Sequence, residues 1–273
     1  MSVYFLTLVF FCFGAIFGSF LNVVILRLPR DEKLGGRSHC PHCGSTLTAR
    51  DLWPIVSFIF LRGRCRHCAG RISPRYALVE IINGLLFVWV GLVLFHPQIA
   101  SIVLCVRALL VTEILVVVFA IDYEHYLILD SVLLFGLVSV LCLNLLGDWA
   151  LRIFPLSWSS LSAGGLIGAL TSPLPFLLAW LWPPRGQWMG FGDVKLSVFL
   201  GLALGWPGWL VGFLLSVFLG GASGLVMLFF KKKTLKSQIP FGTFLAIGSF
   251  AAMFYAPQII NWYLGLVGWR VMR

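Results

Sequence analysis

Two Cys-x-x-Cys pairs are the first residues of this chain whose types and spacing could do chemistry. Cys40 and Cys43 form one pair, Cys65 and Cys68 form the other, and 21 residues separate the two pairs. Four thiolates supplied by two such pairs are a typical tetrahedral ligand set for zinc, and an all-cysteine set is typical of a structural site. The alternative is four unligated cysteines in a flexible loop. We expect one structural Zn²⁺ ion.

A second set of candidates is a pair of aspartates at the ends of apolar runs. Asp122 ends one run, and Asp193 follows Gly190 and Gly192 just before another. A carboxylate held against hydrocarbon is costly and is by default a functional hypothesis. If two carboxylates approach each other, they can share a proton, so that one is the acid and the other the base of an aspartic protease. The two glycines would leave room for a neighbouring helix or an extended substrate.

Other interpretations of these acidic residues remain open from the spacing alone. Both aspartates could instead cap helix ends or pair with Lys195 and His125. Asp130, in the same short loop as Asp122, is expected to be solvated or to cap a helix in a supporting role. A transporter that binds a cation through membrane carboxylates, or a non-enzymatic assembly adaptor that uses the cysteine segment, is the alternative function.

The composition indicates which elements must position these residues. The chain has 273 residues, of which 60% are hydrophobic and 11% are charged. A soluble protein is about 45–50% apolar and about 25% charged, so soluble globular and disordered chains are both excluded. Because a spanning helix needs about 20 residues, the pattern predicts an all-α polytopic membrane protein with about eight transmembrane helices. The apolar runs are 4–26, 76–95, 98–121, 131–147, 163–182, 194–206, 208–230 and 241–262.

The charge distribution predicts the orientation of these helices. Residues 27–75 contain ten Lys and Arg against three acidic residues, which is most of the net charge of +10. Cytoplasmic loops of membrane proteins are rich in Lys and Arg, so we expect the N-terminus outside and this segment in the cytosol. The basic residues Arg185, Lys231, Lys232, Lys233 and Lys236 fit the same orientation. We read the positive charge as a topology signal and expect no nucleic-acid partner.

We expect three segments along the chain. They are a first transmembrane helix at 1–28, a cytosolic zinc-binding insert at 29–75 and a helical membrane core at 76–273. The insert is too short to bury a sizeable core, so a metal ion would have a stabilising purpose. Cytosolic thiols stay reduced, which disfavours disulfides there.

Several motifs in order along the chain resemble those of one enzyme family. They are Gly-Ser-Phe-Leu-Asn-Val-Val at 18–24, the two cysteine pairs, Ile-Ser-Pro-Arg-Tyr-Ala-Leu-Val-Glu at 72–80, Ile-Asp at 121–122, Gly-Phe-Gly-Asp-Val-Lys at 190–195, and Ile-Pro-Phe-Gly at 239–242. The chain resembles the bacterial type IV prepilin peptidases, also called type 4 prepilin leader peptidase/N-methyltransferases. The Gly-x-Gly-Asp string is similar to that of presenilin-like intramembrane proteases.

The resemblance implies a bifunctional enzyme of the bacterial inner membrane, in a type IV pilus, type II secretion or DNA-uptake system. It would cleave the leader of prepilins or pseudopilins at the cytosolic face and methylate the new N-terminus with S-adenosylmethionine. Asp122 and Asp193 match the two catalytic aspartates, and Lys195 lies in the same motif. Glu80 is our candidate contact for S-adenosylmethionine, and its alternative role is to orient the insert.

Two positions depart from the family pattern. Leu129 stands before Asp130, where the family usually has proline, and Thr243 follows the Pro-Phe-Gly string, where proline is also common. We expect neither residue to touch the aspartate pair.

Overall fold

The protein is described by a computed structural model that covers residues 3–153, 160–183, 189–229 and 240–267. Every regular element within these ranges is a helix, which confirms the predicted all-α class. The α-helices are α1 (Val3–Arg27), α2 (Val56–Phe60), α3 (Arg75–Leu94), α4 (Ile99–His125), α5 (Asp130–Ala150), α6 (Leu161–Thr171), α7 (Pro173–Leu181), α8 (Phe191–Leu204), α9 (Gly208–Phe229) and α10 (Phe241–Leu266).

In the described part of the chain, seven segments are long and apolar enough to span a membrane. Five are single helices, one is α1 together with the 3₁₀ turn Leu28–Arg30, and one is formed by α6 and α7 together, over Leu161–Leu181. The remaining predicted run, 194–206, corresponds to the 14-residue helix α8. Because α8 begins at Phe191, Asp193 lies within its first turn instead of before it. The basic residues Arg185, Lys231, Lys232, Lys233 and Lys236 lie outside the described residues.

The chain divides into two compact units, and the first comprises Met1–Pro97. Its two long helices, α1 and α3, pack closely because Gly14 and Gly18 face α3 with no side chain between the backbones. A Cβ atom on Gly14 would lie 2.8 Å from the carbonyl oxygen of Asn83. The Asn83 amide in turn donates to the Gly14 carbonyl at 2.9 Å. Small residues four apart are a common way for membrane helices to pack at short range.

The second unit, Gln98–Arg273, contains α4 to α10. Its apolar core lies among α4, α5, α8 and α10, with Phe199 and Leu196 of α8 fully buried. Helix α8 packs against α6 at backbone contact distance, since a Cβ atom on Gly168 would lie 2.2 Å from the Gly201 carbonyl oxygen. The short helix is therefore enclosed by protein, which is the condition under which such an element is tolerated at membrane depth.

Candidate functional site: two buried aspartates and a four-cysteine cluster

Asp122 lies in the last turn of α4 and is held by the beginning of α10. It is only 5% exposed. Its Oδ2 accepts a hydrogen bond from the Thr243 backbone N–H at 2.8 Å and another from the Thr243 hydroxyl at 3.2 Å. The first N–H groups of a helix have no partner within the helix, so α10 can offer them to a carboxylate. The start of α10 thus fixes one oxygen of Asp122.

Asp193 lies in the first turn of α8, which Gly190 precedes as the N-cap residue. It is 9% exposed, and its backbone N–H donates to the Gly190 carbonyl at 3.1 Å. A negative charge in the first turn is favoured by the helix dipole, which offsets part of the cost of burying it. The two aspartates are close enough to interact electrostatically.

Both aspartates line one open cleft of about 450 Å³. One wall is the loop between α4 and α5, at residues 126–129, and the opposite wall is the first turn of α8. The cleft therefore brings together two carboxylates that are 71 positions apart in sequence. The space between its walls could hold part of a substrate. A pair of buried carboxylates facing such a space can perform acid–base hydrolysis without a metal ion.

Lys195 and Asp130 also line this cleft and pair with each other across it. The Lys195 ammonium group donates to both carboxylate oxygens of Asp130, at 2.7 and 2.8 Å. The Asp130 side chain is 70% exposed, so this ion pair is a solvent-screened link between the α4–α5 loop and α8. Lys195 therefore pairs with Asp130, so the alternative in which Lys195 pairs with Asp193 is not observed.

The two glycines of the Gly-x-Gly-Asp string have different surroundings. A Cβ atom on Gly192 would lie 3.1 Å from the Cβ of Ile128, so this glycine allows α8 to approach the α4–α5 loop. A Cβ atom on Gly190 would lie 3.7 Å from Asp193 Oδ2, an ordinary contact distance. Close approach therefore requires a glycine at 192 more than at 190.

The expectation that neither departure touches the aspartate pair is wrong for Thr243. Thr243 donates two hydrogen bonds to Asp122, one from its backbone N–H and one from its hydroxyl, and a proline at this position would supply neither. Gly242 is a second missed site residue, since a Cβ atom there would lie 2.9 Å from Asp122 Oδ2. The Pro-Phe-Gly motif marks this segment in the sequence. Because Thr243 is 121 positions from Asp122, however, the motif does not indicate that the two residues are in contact.

The four paired cysteines converge, as predicted, into one cluster in the first unit. The sulfur atoms of Cys40, Cys43, Cys65 and Cys68 all lie within 4.8 Å of one another. Each pair is held by the same backbone pattern, in which the residue after the second cysteine donates to the carbonyl of the first. These bonds are Gly44 N–H to Cys40 at 2.9 Å and Ala69 N–H to Cys65 at 3.0 Å. The cluster could hold one metal ion.

Neighbouring polar groups support this cluster. The Ser45 hydroxyl lies 3.0 Å from the Cys43 sulfur, and hydrogen bonds from Ser45 lower the pKa of the Cys43 thiol to about 6. A lowered pKa favours the thiolate, which is the form that binds metals. Asp51, between the two pairs, accepts hydrogen bonds from Thr48 and Arg66, which lower its pKa to about 2.

Glu80 lies inside the first unit, in the second turn of α3, and is 8% exposed. Its Oε2 accepts a hydrogen bond from the Ile55 backbone N–H at 2.7 Å, and Ser19 donates to the same carboxylate. Ile55 has a positive φ of 61° with ψ of −48°, a backbone conformation that is rare for a β-branched residue. Glu80 thus contacts the turn that leads into α2.

Comparison with known proteins identifies the chain's relatives. Residues 12–94 match the bacterial peptidase A24 N-terminal domain, and residues 109–225 match the type IV leader peptidase family. A prepilin leader peptidase/N-methyltransferase of Aeromonas hydrophila is 34% identical, over 93% of this chain and 92% of the relative. One of Burkholderia pseudomallei (strain 1026b) is 36% identical, over 89% and 83%. One of Legionella pneumophila is 32% identical, over 96% of each chain.

No solved structure matches the chain. The two domain matches together include the four cysteines, Glu80, Asp122 and Asp193, and the relatives align over most of their own length. The apolar helices and these relatives together indicate a multi-pass inner-membrane protein. On these matches the chain belongs to the type IV leader peptidase family, and it is a peptidase and N-methyltransferase of that family.

Proposed function

We propose that the protein cleaves the leader peptides of prepilins or pseudopilins with Asp122 and Asp193, at the cytosolic face of the inner membrane. The observation that carries this proposal is that the two aspartates, both buried, line one cleft at the ends of α4 and α8. A prepilin has a basic leader followed by an apolar helix, so its scissile bond would lie at the membrane interface. The predicted orientation puts the cleft at the cytosolic interface.

In the proposed mechanism, the ionised aspartate accepts a proton from the water molecule that attacks the scissile carbonyl. The protonated aspartate donates a hydrogen bond to the carbonyl oxygen and later helps to protonate the leaving amine. Thr243 and the dipole of α8 orient and stabilise the carboxylates. The pair titrates as a unit, so the mechanism assigns the two roles to the pair rather than to one residue each.

The test is cleavage of a prepilin by the purified protein in detergent, with matched carboxylate variants. We expect Asp122→Asn and Asp193→Asn each to lower kcat by at least about a thousandfold, because asparagine keeps the shape but cannot transfer a proton. Asp130→Asn is the control, since this residue lines the same cleft but is exposed. It should retain at least about a tenth of the activity, because a surface ion pair contributes little. Substantial cleavage by either of the first two variants would remove that residue from the pair.

The same assay separates the alternative functions. A cation transporter or a non-enzymatic adaptor would not cleave the prepilin at all. A metalloprotease would lose cleavage at once when zinc is chelated, whereas an aspartate pair should keep it while the fold is intact. Complete absence of cleavage by the wild-type protein would reject the proposal.

The four cysteines would hold one structural zinc ion in the insert. The donor set supports this, because four sulfur atoms within 4.8 Å of one another match the requirements of tetrahedral Zn²⁺. Metal analysis of freshly purified protein should give one zinc per chain, and Cys65→Ser should reduce it. Absence of zinc from the wild-type protein would reject this assignment.

The second activity would be methylation of the new N-terminal amine. S-adenosylmethionine supplies an electrophilic methyl group when bound, and a buried carboxylate would complement its sulfonium charge. Glu80 fits this requirement in charge only, because Ile55 and Ser19 already donate hydrogen bonds to its carboxylate. The first unit is therefore the proposed location of the methyl-transfer site, with Glu80 at its edge.

A Glu80→Gln variant tests this location when cleavage and methylation are both scored by mass spectrometry. Loss of methylation with cleavage retained supports a contact with the methyl donor or its substrate. Equal loss of both activities would assign Glu80 to folding of the insert, and retention of both would exclude it from the site.

A further inference from the structure

Helix α8, which carries Asp193, is too short to cross a bilayer alone. Its 14 residues extend about 21 Å, against a hydrocarbon core of about 30 Å. The Gly201 carbonyl of its last turn accepts the N–H of the C-cap residue Gly205 at 2.9 Å. The carbonyl groups that follow have no donors within the helix, and hydrocarbon supplies no water to replace them. The C-terminal end of α8 therefore needs donors from neighbouring helices.

Two side chains from other helices supply these donors. Arg107 of α4 donates one guanidinium N–H group to the carbonyl oxygen of Ala203. Asn144 of α5, which is fully buried, donates its amide to the carbonyl oxygen of Leu202 at 3.2 Å. Arg107 also donates through Nε to the Asn144 Oδ1 at 2.5 Å, so the two side chains form one unit. Arginine can make these bonds together because its donors are arranged in a planar fork.

A buried carboxylate near Arg107 offsets part of its positive charge. Asp148, one turn after Asn144 on α5, is fully buried and interacts electrostatically with Arg107. Its carboxylate also accepts the backbone N–H groups of Leu161 at 2.6 Å and Ser162 at 3.1 Å, at the N-terminus of α6. A cation at the C-terminus of α8 and an anion at the N-terminus of α6 each complement the adjacent helix dipole. The network thus joins α4, α5, α6 and α8.

We propose that Arg107 and Asn144 are positioning residues that clamp the C-terminal end of α8 and thereby hold Asp193 opposite Asp122. The inference rests on the proposed function of the aspartate pair. Asp193 lies ten residues before Ala203, which is about 15 Å along a rigid helix, so Arg107 does not reach the reacting atoms. Releasing the clamp would let α8 slide along its axis and change the separation of the two carboxylates. A misplacement of about 1 Å can lower a rate by about a hundredfold.

The test compares Arg107→Met, Asn144→Leu and the double variant in the prepilin cleavage assay. We expect each single variant to lower kcat by at least about tenfold while KM changes by less than about twofold, because geometry and not substrate binding is altered. The double variant should lose about as much as either single variant, since both side chains form one clamp. The pH–rate profile of each variant should also shift, because the separation of the carboxylates determines how they share a proton.

Arg107→Lys keeps the charge and one donor to Ala203 but cannot hold Asn144 at the same time. We expect it to restore part of the lost kcat, and it also serves if Arg107→Met does not fold. Wild-type kcat and pH profile in both Arg107 variants, or multiplying losses in the double variant, would overturn the clamp. Asp193→Asn is measured in parallel: if it cleaves normally, the proposed function itself fails, whereas its inactivity beside an unaffected Arg107→Met rejects the clamp alone.

Discussion

At the scale of single residues, the two hydrogen bonds from Thr243 to Asp122 can be removed one at a time. Thr243→Val keeps the backbone donor, whereas Thr243→Pro loses both donors but remains compatible with the first turn of α10. A hydrogen bond to a charged group contributes about 1.5–3 kcal/mol. We therefore expect kcat for cleavage to fall by at least about a hundredfold in the proline variant, which loses both bonds, and by about tenfold in the valine variant, which loses one. Equal kcat in all three proteins would show that these bonds do not support catalysis.

The glycines next to the aspartates make a matched pair for a steric test. A Cβ atom at 242 would lie 2.9 Å from Asp122 Oδ2, whereas one at 190 would lie 3.7 Å from Asp193 Oδ2. Gly242→Ala should therefore displace a carboxylate and lower kcat by about a hundredfold, while Gly190→Ala should stay within about tenfold of wild type. Steady-state cleavage kinetics distinguish the two, and the reverse order would contradict the site geometry.

At the scale of elements, the two cysteine turns are alike in hydrogen bonding but unequal in backbone strain. Gly44 and Ala69 occupy equivalent positions with φ of 71° and 56°, a conformation that favours glycine. Ala69→Gly should stabilise the insert by about 0.5–1 kcal/mol, and Gly44→Ala should destabilise it by about 1–2 kcal/mol. Hydrogen exchange of the residue 44 and 69 amides measures both effects. Faster exchange in Ala69→Gly would contradict the prediction.

The contact between α6 and α8 makes a second prediction at this scale. Gly168→Ala would place a Cβ atom 2.2 Å from the Gly201 carbonyl oxygen, and backbone on both sides cannot move aside. We expect a loss of at least about 1–3 kcal/mol, seen as a lower Tm in detergent. Gly164→Ala, four residues earlier in α6, meets no atom within 4 Å and should leave Tm unchanged or raise it through helix propensity. A similar Tm for both variants would show that the helices are not in backbone contact.

At the scale of the whole molecule, the charge distribution predicts which side of the membrane each segment faces. A reporter protein inserted after Gly35, where an added side chain would meet no atom within 4 Å, should be active only if it is of the kind that folds in the cytosol. The physical reason is the excess of seven positive charges over 27–75, which resists translocation. Activity of a reporter that folds only outside the cytosol would reverse the predicted orientation and the proposed location of the cleft.

The sequence by itself determined the class of protein, seven of its spans within a few residues, and the grouping of the four cysteines. These features depend on local hydrophobicity and on short spacings, so they can be predicted without knowledge of long-range contacts. The surroundings of α8 do not follow from sequence, because an apolar run of 13 residues at 194–206 can be enclosed either by protein or by lipid.

Only the tertiary structure decided which distant groups meet. Asp122 and Asp193 share a cleft, Thr243 donates to Asp122 across 121 positions, and Arg107 reaches the end of α8 across 96. The Pro-Phe-Gly string and Arg107 were visible in the sequence, but neither carries a local signal of its partner. The partners follow from the packing of α4, α5, α8 and α10, because at membrane depth each buried polar group must find its hydrogen bonds within the protein.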